Sequence, residues 1–166
     1  YAFKWMWAPL VDRMPIPLLT RWLGRRRSWL LLSQALIMGG LVGMAFSDPI
    51  TALDPIVWCA LAVAFGSATQ DIALDAFRIE SADADHQAAL AATYQTGYRL
   101  AMIWAGAGAL WLAARVQGDV TGYMHGAWQV AYLVMAASML VGVVTVLCSK
   151  EPNPKPLVAA KSVADW

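Results

Sequence analysis

"SWLLLSQALIMGGLVGMAF", residues 28–46, contains no charged side chain from end to end. A bilayer core about 30 Å thick is crossed by about 20 helical residues, and this run has that length. Its apolar residues leave no polar stripe of the kind a soluble helix shows. The stretch therefore reads as a transmembrane helix, and the rest of the chain repeats it. Pro55–Phe77 is apolar until Gln70, Ala91–Ala114 is apolar apart from Arg99, and Ala127–Cys148 is again uncharged. Tyr1–Val11 is too short to span and reads as the end of a further helix. The expected fold class is an all-α membrane protein with spans at 1–11 (partial), 28–46, 55–77, 91–114 and 127–148. A Pro-rich polar linker is expected over 149–166.

Composition points the same way. The 166 residues are 60% hydrophobic and 14% charged, with a mean hydropathy of +0.53, whereas soluble domains carry about 25% charged residues. Nine Trp and eight Met fit a lipid-facing surface. A net charge of +1 identifies no partner. No basic run is interleaved with aromatics, so nucleic acid is not an expected ligand. Cys59 and Cys148 fall inside apolar runs without metal-ligand spacing and read as small apolar side chains. The chain opens inside an aromatic-rich run without an initiator Met and reads as a piece of a longer protein.

Positive charge orients the spans. Arg13, Arg21, Arg25, Arg26 and Arg27 lie in one connection, Arg78 in the next on that side, and Lys150, Lys155 and Lys161 in the tail. The alternate connections hold Arg115 alone. The 12–27 loop and the tail are thus expected in the cytoplasm. Trp29, Trp58, Trp111 and Trp128 mark the span ends, where amphipathic rings prefer the headgroup level. Gly39 and Gly43 form a GxxxG step, and "WAGAGALW" (104–111) adds a second small-residue stretch. Close helix approach is the expected role of both, with a hinge as the lesser alternative.

Charge inside the spans carries the chemistry. At about 100° per residue, Asp71, Asp75 and Arg78 fall within an arc of roughly 60°, and Glu80 falls opposite, at the edge of the interfacial loop. Asp71 lies about 6 Å deeper than Asp75. Two acids this close in low dielectric do not both ionise freely, which is the property of a proton-coupling group. Asp75 admits a second reading, a salt bridge to Arg78 at the interface. Asp71, deeper and beside Gln70, is the stronger functional candidate, because intramembrane acids are costly and face cavities. Arg99 shares its face with Gln95 and Thr96, with Tyr94 and Tyr98 to the side. It is expected either to pair with Asp71 or Asp75 or to clamp an anionic substrate. Lys4 either snorkels to the interface or, among Tyr1, Phe3, Trp5 and Trp7, helps wall a substrate cavity. His86 and His125 read as solvated loop residues. There is no Ser/His/Asp constellation, metal cluster or phosphate-cradling loop, so a transporter without cofactor or metal is expected in place of an enzyme.

"APLVDR" (8–13) followed by "LGRRRSWLL" (23–31) resembles the loop signature of the major facilitator superfamily between its second and third helices. Ala8 stands where Gly is usual, Asp12, Arg13, Gly24, Arg25 and Arg26 match, and Met14–Leu23 separates halves that are normally contiguous. That expansion, together with "YAFKWMWAPLVDR" (1–13), "SATQDIALDAFRIE" (67–80) and "GYRLAM" (97–102), is similar to the AmpG-type muropeptide permeases. The resemblance implies the end of helix 2 through helix 6 of a proton-driven importer of anhydro-muropeptides, with a link in some bacteria to β-lactamase induction. It implies the bacterial inner membrane, with lipid, muropeptide and protons as partners and a monomeric protein. Asp12, Arg13, Gly24, Arg25, Arg26 and Arg78 would form the cytoplasmic gate. Asp71 and Asp75 would couple protons, and Arg99, Lys4, Gln70, Gln95 and Tyr98 would meet the substrate or supply counter-charges. A carrier of another anion, such as acetyl-coenzyme A, is the alternative within the superfamily. A structural or signalling membrane subunit is the alternative outside it.

Overall fold

The computed structural model describes residues 3–81 and 83–152. Tyr1, Lys155, Lys161 and the linker expected from 153 onward lie outside the described residues. Every regular element is helical among the described residues. A single 3₁₀ turn (Lys4–Met6) leads into α1 (Ala8–Arg13), α2 (Leu19–Leu23), α3 (Arg25–Phe46), α4 (Leu53–Ser81), α5 (Ala84–Ile103), a π turn (Trp104–Gly108), α6 (Ala109–Gln117) and α7 (His125–Cys148). Four stretches are long and apolar enough to cross a membrane, the third being the continuous run through α5, the π turn and α6. The architecture is that of a partial major-facilitator-type bundle in a multi-pass membrane protein.

The helices outrun the apolar windows that announce them. At about 1.5 Å per residue, the 29 residues of α4 reach about 43 Å, well beyond a core of about 30 Å. The overhang carries Arg78 and Glu80 out of the most apolar depth while keeping them helical. Elsewhere the ends are set by backbone chemistry. Gly24 at φ +90° precedes α3, and Gly118 at φ +58° ends α6 with its N–H on the Ala114 carbonyl at 3.1 Å.

α3 is the central helix, packed on α4 along one side and α7 along the other, while α6 runs against α7. The α3–α4 seam is closed by Gly40, Gly43 and Gly66. A Cβ on Gly40 would lie 2.6 Å from Val63 Cγ2 and 2.9 Å from the Cys59 carbonyl oxygen. Gly39 is exposed and faces open space. The close approach therefore runs through Gly40 and Gly43, one residue off the expected GxxxG step. Around Gly108 the room is taken by the chain's own Trp104 ring, which a Cβ would meet at 2.8 Å, and Gly106 faces open space. Neither glycine is pressed by a second helix; the distinction of this stretch is the π turn itself, a deformation common at functional sites.

The interior is the reverse of a soluble core. Large apolar side chains point outward, Trp58 at 72% exposure and Val141 at 71%, while Arg26, Ser28, Ser33, Gln34 and Thr69 are buried. Buried hydroxyls are satisfied by their own helices: Ser33 Oγ donates to the Trp29 carbonyl and Thr69 Oγ1 to the Phe65 carbonyl, both at 2.8 Å. Lipid accepts no stray donor, so each must bond internally. One apolar core gathers Val11, Leu30, Ala73 and Val146, and draws α1, α3, α4 and α7 together at the arginine-rich end. A second gathers Ala113, Ala127 and Ala131 between α6 and α7. The polar cluster described next sits at the arginine-rich end.

Candidate transport site and gate

Arg26, in the first turn of α3, is the hub of the basic end. Its Nη1 donates to Asp12 Oδ1 at 2.6 Å, its Nη2 to Glu80 Oε1 at 2.5 Å, and its Nε reaches both Glu80 oxygens at 3.1 Å. The Arg26 side chain is 7% exposed, Glu80 17% and Asp12 48%. One guanidinium thus ties α1, α3 and α4. Such planar forks suit paired carboxylates better than a lysine would.

A second exchange joins α3 to α7. The backbone N–H groups of Arg26 and Arg27 donate to the Glu151 carboxylate at 2.8 and 3.2 Å. Arg27 in turn donates through Nε to the Val146 carbonyl at 2.9 Å and through Nη2 to that of Leu147 at 2.7 Å. An anion therefore fills the N-terminus of α3 and a cation the C-terminus of α7, each satisfying orphan backbone groups and opposing the helix dipole. Gly24 makes this possible, because a side chain there would overlap the Glu151 carboxylate.

The ten-residue excursion between Arg13 and Gly24 does not part Asp12 from Arg26. Ile16 N–H bonds to Thr20 Oγ1 at 2.8 Å, and Trp29 Nε1 donates to the Met14 carbonyl at 3.0 Å, so the loop folds back on α3. It turns at Leu18, whose φ of +70° is unusual for a residue with a side chain. Of the expected gate residues, Asp12, Gly24 and Arg26 come together; Arg13 and Arg25 form no ion pair among the described residues. Arg78 stands apart, with Nη2 at 3.5 Å from Asp75 Oδ1 and its guanidinium 5.4 Å from the Tyr94 ring centroid.

Deeper between α4 and α5 lies a cavity of about 650 Å³, lined by Ser67, Gln70 and Asp71 on one side and Gly97, Tyr94 and Tyr98 on the other. The charges that act on Asp71 are Lys4 and Asp75. Trp7 holds the N-terminal segment beside them: its Nε1 donates to Thr69 Oγ1 at 3.2 Å and its ring packs 5.1 Å from Phe65. Gln70 Oε1 is buried and accepts no hydrogen bond. Arg99 and Gln95 are exposed, do not line this cavity, and Arg99 forms no ion pair among the described residues. The expected pair of Arg99 with Asp71 or Asp75 is therefore not formed, and the cation that acts on Asp71 is Lys4. Carboxylates, phenols and an amide with an open acceptor can exchange protons and hydrogen bonds with a solute, and none is poised as a nucleophile.

Glu80, Arg27 and Glu151 are residues to which sequence reasoning gave no site role. For Glu80 the signal was present: lying opposite the Asp71–Arg78 arc, it points to α3 once α4 is continued to Ser81.

The chain is similar to bacterial proteins named as transporters and permeases. It is 36% identical over its whole length to the putative transporter AmpG 4 of Rickettsia felis. It is 38% identical over 92% of its length to the anhydromuropeptide permease of Escherichia coli K12, and 32% identical over 93% to the putative transporter AmpG 3 of Rickettsia prowazekii. The chain spans 38%, 28% and 35% of the lengths of these three relatives. No protein-family model matches it. No solved structure matches it either.

Proposed function

From the chain's membership of the AmpG-type permeases of the major facilitator superfamily, we propose that the protein imports anhydro-muropeptides across the bacterial inner membrane in symport with protons and without a cofactor. The observation that carries this reading is the placement of Asp71 in a cavity of about 650 Å³ with Lys4 and Asp75 as its neighbouring charges. A carboxylate between a cation and a second carboxylate is held in balance, and a proton or an anionic solute tips it. Asp71 and Asp75 are the proton-linked acids. Lys4 supplies the counter-charge, Gln70 and Tyr98 face the solute from the cavity wall, and Arg99 and Gln95 meet it from the exposed face of α5.

The arginine-rich end faces the cytoplasm, by the excess of Arg and Lys there. With Arg26 bonded to Asp12 and Glu80, the ends of α1, α3 and α4 are locked, and release of the solute inward requires that lock to yield. Uptake of labelled anhydro-muropeptide by the full-length protein in proteoliposomes tests the proposal. Accumulation driven by an imposed pH gradient, and lost in Asp71→Asn, is the expected result. Uptake of acetyl-coenzyme A in place of muropeptide would assign the protein to the other anion carriers. A folded, inserted protein that moves neither would end the transport reading.

A further inference from the structure

Two open clefts run beside α4 and α5, the larger also lined from α3 and α7. The larger is the Asp71 cavity; the second, about 330 Å³, lies towards the basic end and is lined by Phe77, Arg78 and Ser81 of α4 and by Leu90 and Thr93 of α5. Two residues line both spaces, Leu74 from α4 and Tyr94 from α5. They stand where the two clefts meet. Elsewhere these helices touch sparsely, so this junction depends on what holds Tyr94 in place.

What holds it is Arg78. The guanidinium lies 5.4 Å from the Tyr94 ring centroid and is steadied by Asp75 at 3.5 Å. A cation over an aromatic face is held by the ring's negative quadrupole. The Arg78 Nε is buried and donates to nothing, and a buried donor left open calls for an explanation. The arrangement gains little from Nε staying where it is, so Arg78 is a latch that can leave the ring without first breaking a full set of bonds.

We propose that Tyr94 is a positioning residue: with Leu74 it forms a partition, latched by Arg78, that keeps water at the basic end out of the Asp71 cavity. The inference rests on the transport reading for its use, but not for its test. The ring does the work, not the hydroxyl, because both the wall and the cation contact belong to the ring. Opening requires Arg78 to swing off Tyr94.

The test uses the full-length protein with its native cysteines removed and Gly97→Cys as reporter. Gly97 lines the larger cavity, and an added Cβ there meets nothing within 4 Å. The rate of modification by a membrane-impermeant methanethiosulfonate is read in vesicles of each orientation. With reagent at the basic end, Tyr94→Ala is expected to raise the rate at least tenfold, Tyr94→Phe to leave it unchanged, and Arg78→Met to raise it partway, with Arg78→Lys restoring slow modification. Equal rates in Tyr94→Ala and its parent would overturn the proposal, as would a rise of equal size from both sides, which signals a loosened fold. A rise in Tyr94→Phe matching that in Tyr94→Ala would overturn the role of the ring. Should the Tyr94→Ala increase appear with reagent on the cytoplasmic face predicted above, both readings are supported. Should it appear only in vesicles of the reverse orientation, the partition stands and the proposed membrane orientation fails.

Discussion

Glu80 embraces Arg26 with both carboxylate oxygens, whereas Asp12 takes one bond from the same guanidinium. The two acids also differ in shelter, at 17% and 48% exposure. Breaking a buried pair by removing one partner costs about 3–5 kcal/mol, while an exposed pair contributes about 0–1 kcal/mol. Glu80→Gln should therefore destabilise the protein far more than Asp12→Asn. Thermal unfolding of the two variants in detergent checks this, and the order would have to be Glu80→Gln below Asp12→Asn.

The exchange between α3 and α7 predicts a graded pair. Arg27→Met strips the Val146 and Leu147 carbonyls of their donors and should cost about 1–3 kcal/mol. Glu151→Gln keeps an acceptor at the start of α3 but discards the charge, for about 0.3–1 kcal/mol. Unfolding by a graded denaturing detergent would rank them.

Neighbouring glycines on α3 should behave oppositely. Gly40→Leu drives a side chain into Val63 and the Cys59 carbonyl, and overpacking of this kind costs about 1–3 kcal/mol. Gly39→Ala meets open space and gains helix propensity of about 0.5–1 kcal/mol. Expression level and melting temperature of the two variants make the comparison.

In transport, Asp71→Asn should reduce proton-driven uptake by roughly tenfold or more, the change that about 1.4 kcal/mol produces, and flatten its dependence on pH. Lys4→Met should act in the same assay through loss of the charge beside Asp71. Arg99→Gln should raise KM and spare the pH dependence, since Arg99 has no ion-pair link to Asp71. Initial rates across a pH series separate these outcomes.

The spans were legible because lipid imposes a minimum apolar length, and every long uncharged run met it. The polar partners were harder for a reason visible at three places. Arg25 and Arg26 are chemically alike, and only the register of α3 against α1 and α4 turns Arg26 inward. Gly39 and Gly40 are equally small, and only the lie of α4 selects Gly40. Arg99 shares a membrane end with Asp71 in the sequence, yet a cavity lies between α4 and α5 there, and the cation that acts on Asp71 is Lys4, distant in sequence. Composition fixes what must be hidden from lipid; the packing between helices decides with whom.

The excursion from Met14 to Leu23 is closed at its base, by Arg26 on Asp12 and by Trp29 on the Met14 carbonyl. Lengthening a closed loop is inexpensive, about 0.6 kcal/mol for each doubling. This segment is thus a natural insertion point: an epitope or fluorophore-binding tag grafted at its exposed turn would report on the Arg26–Asp12–Glu80 cluster from the side, without disturbing its bonds.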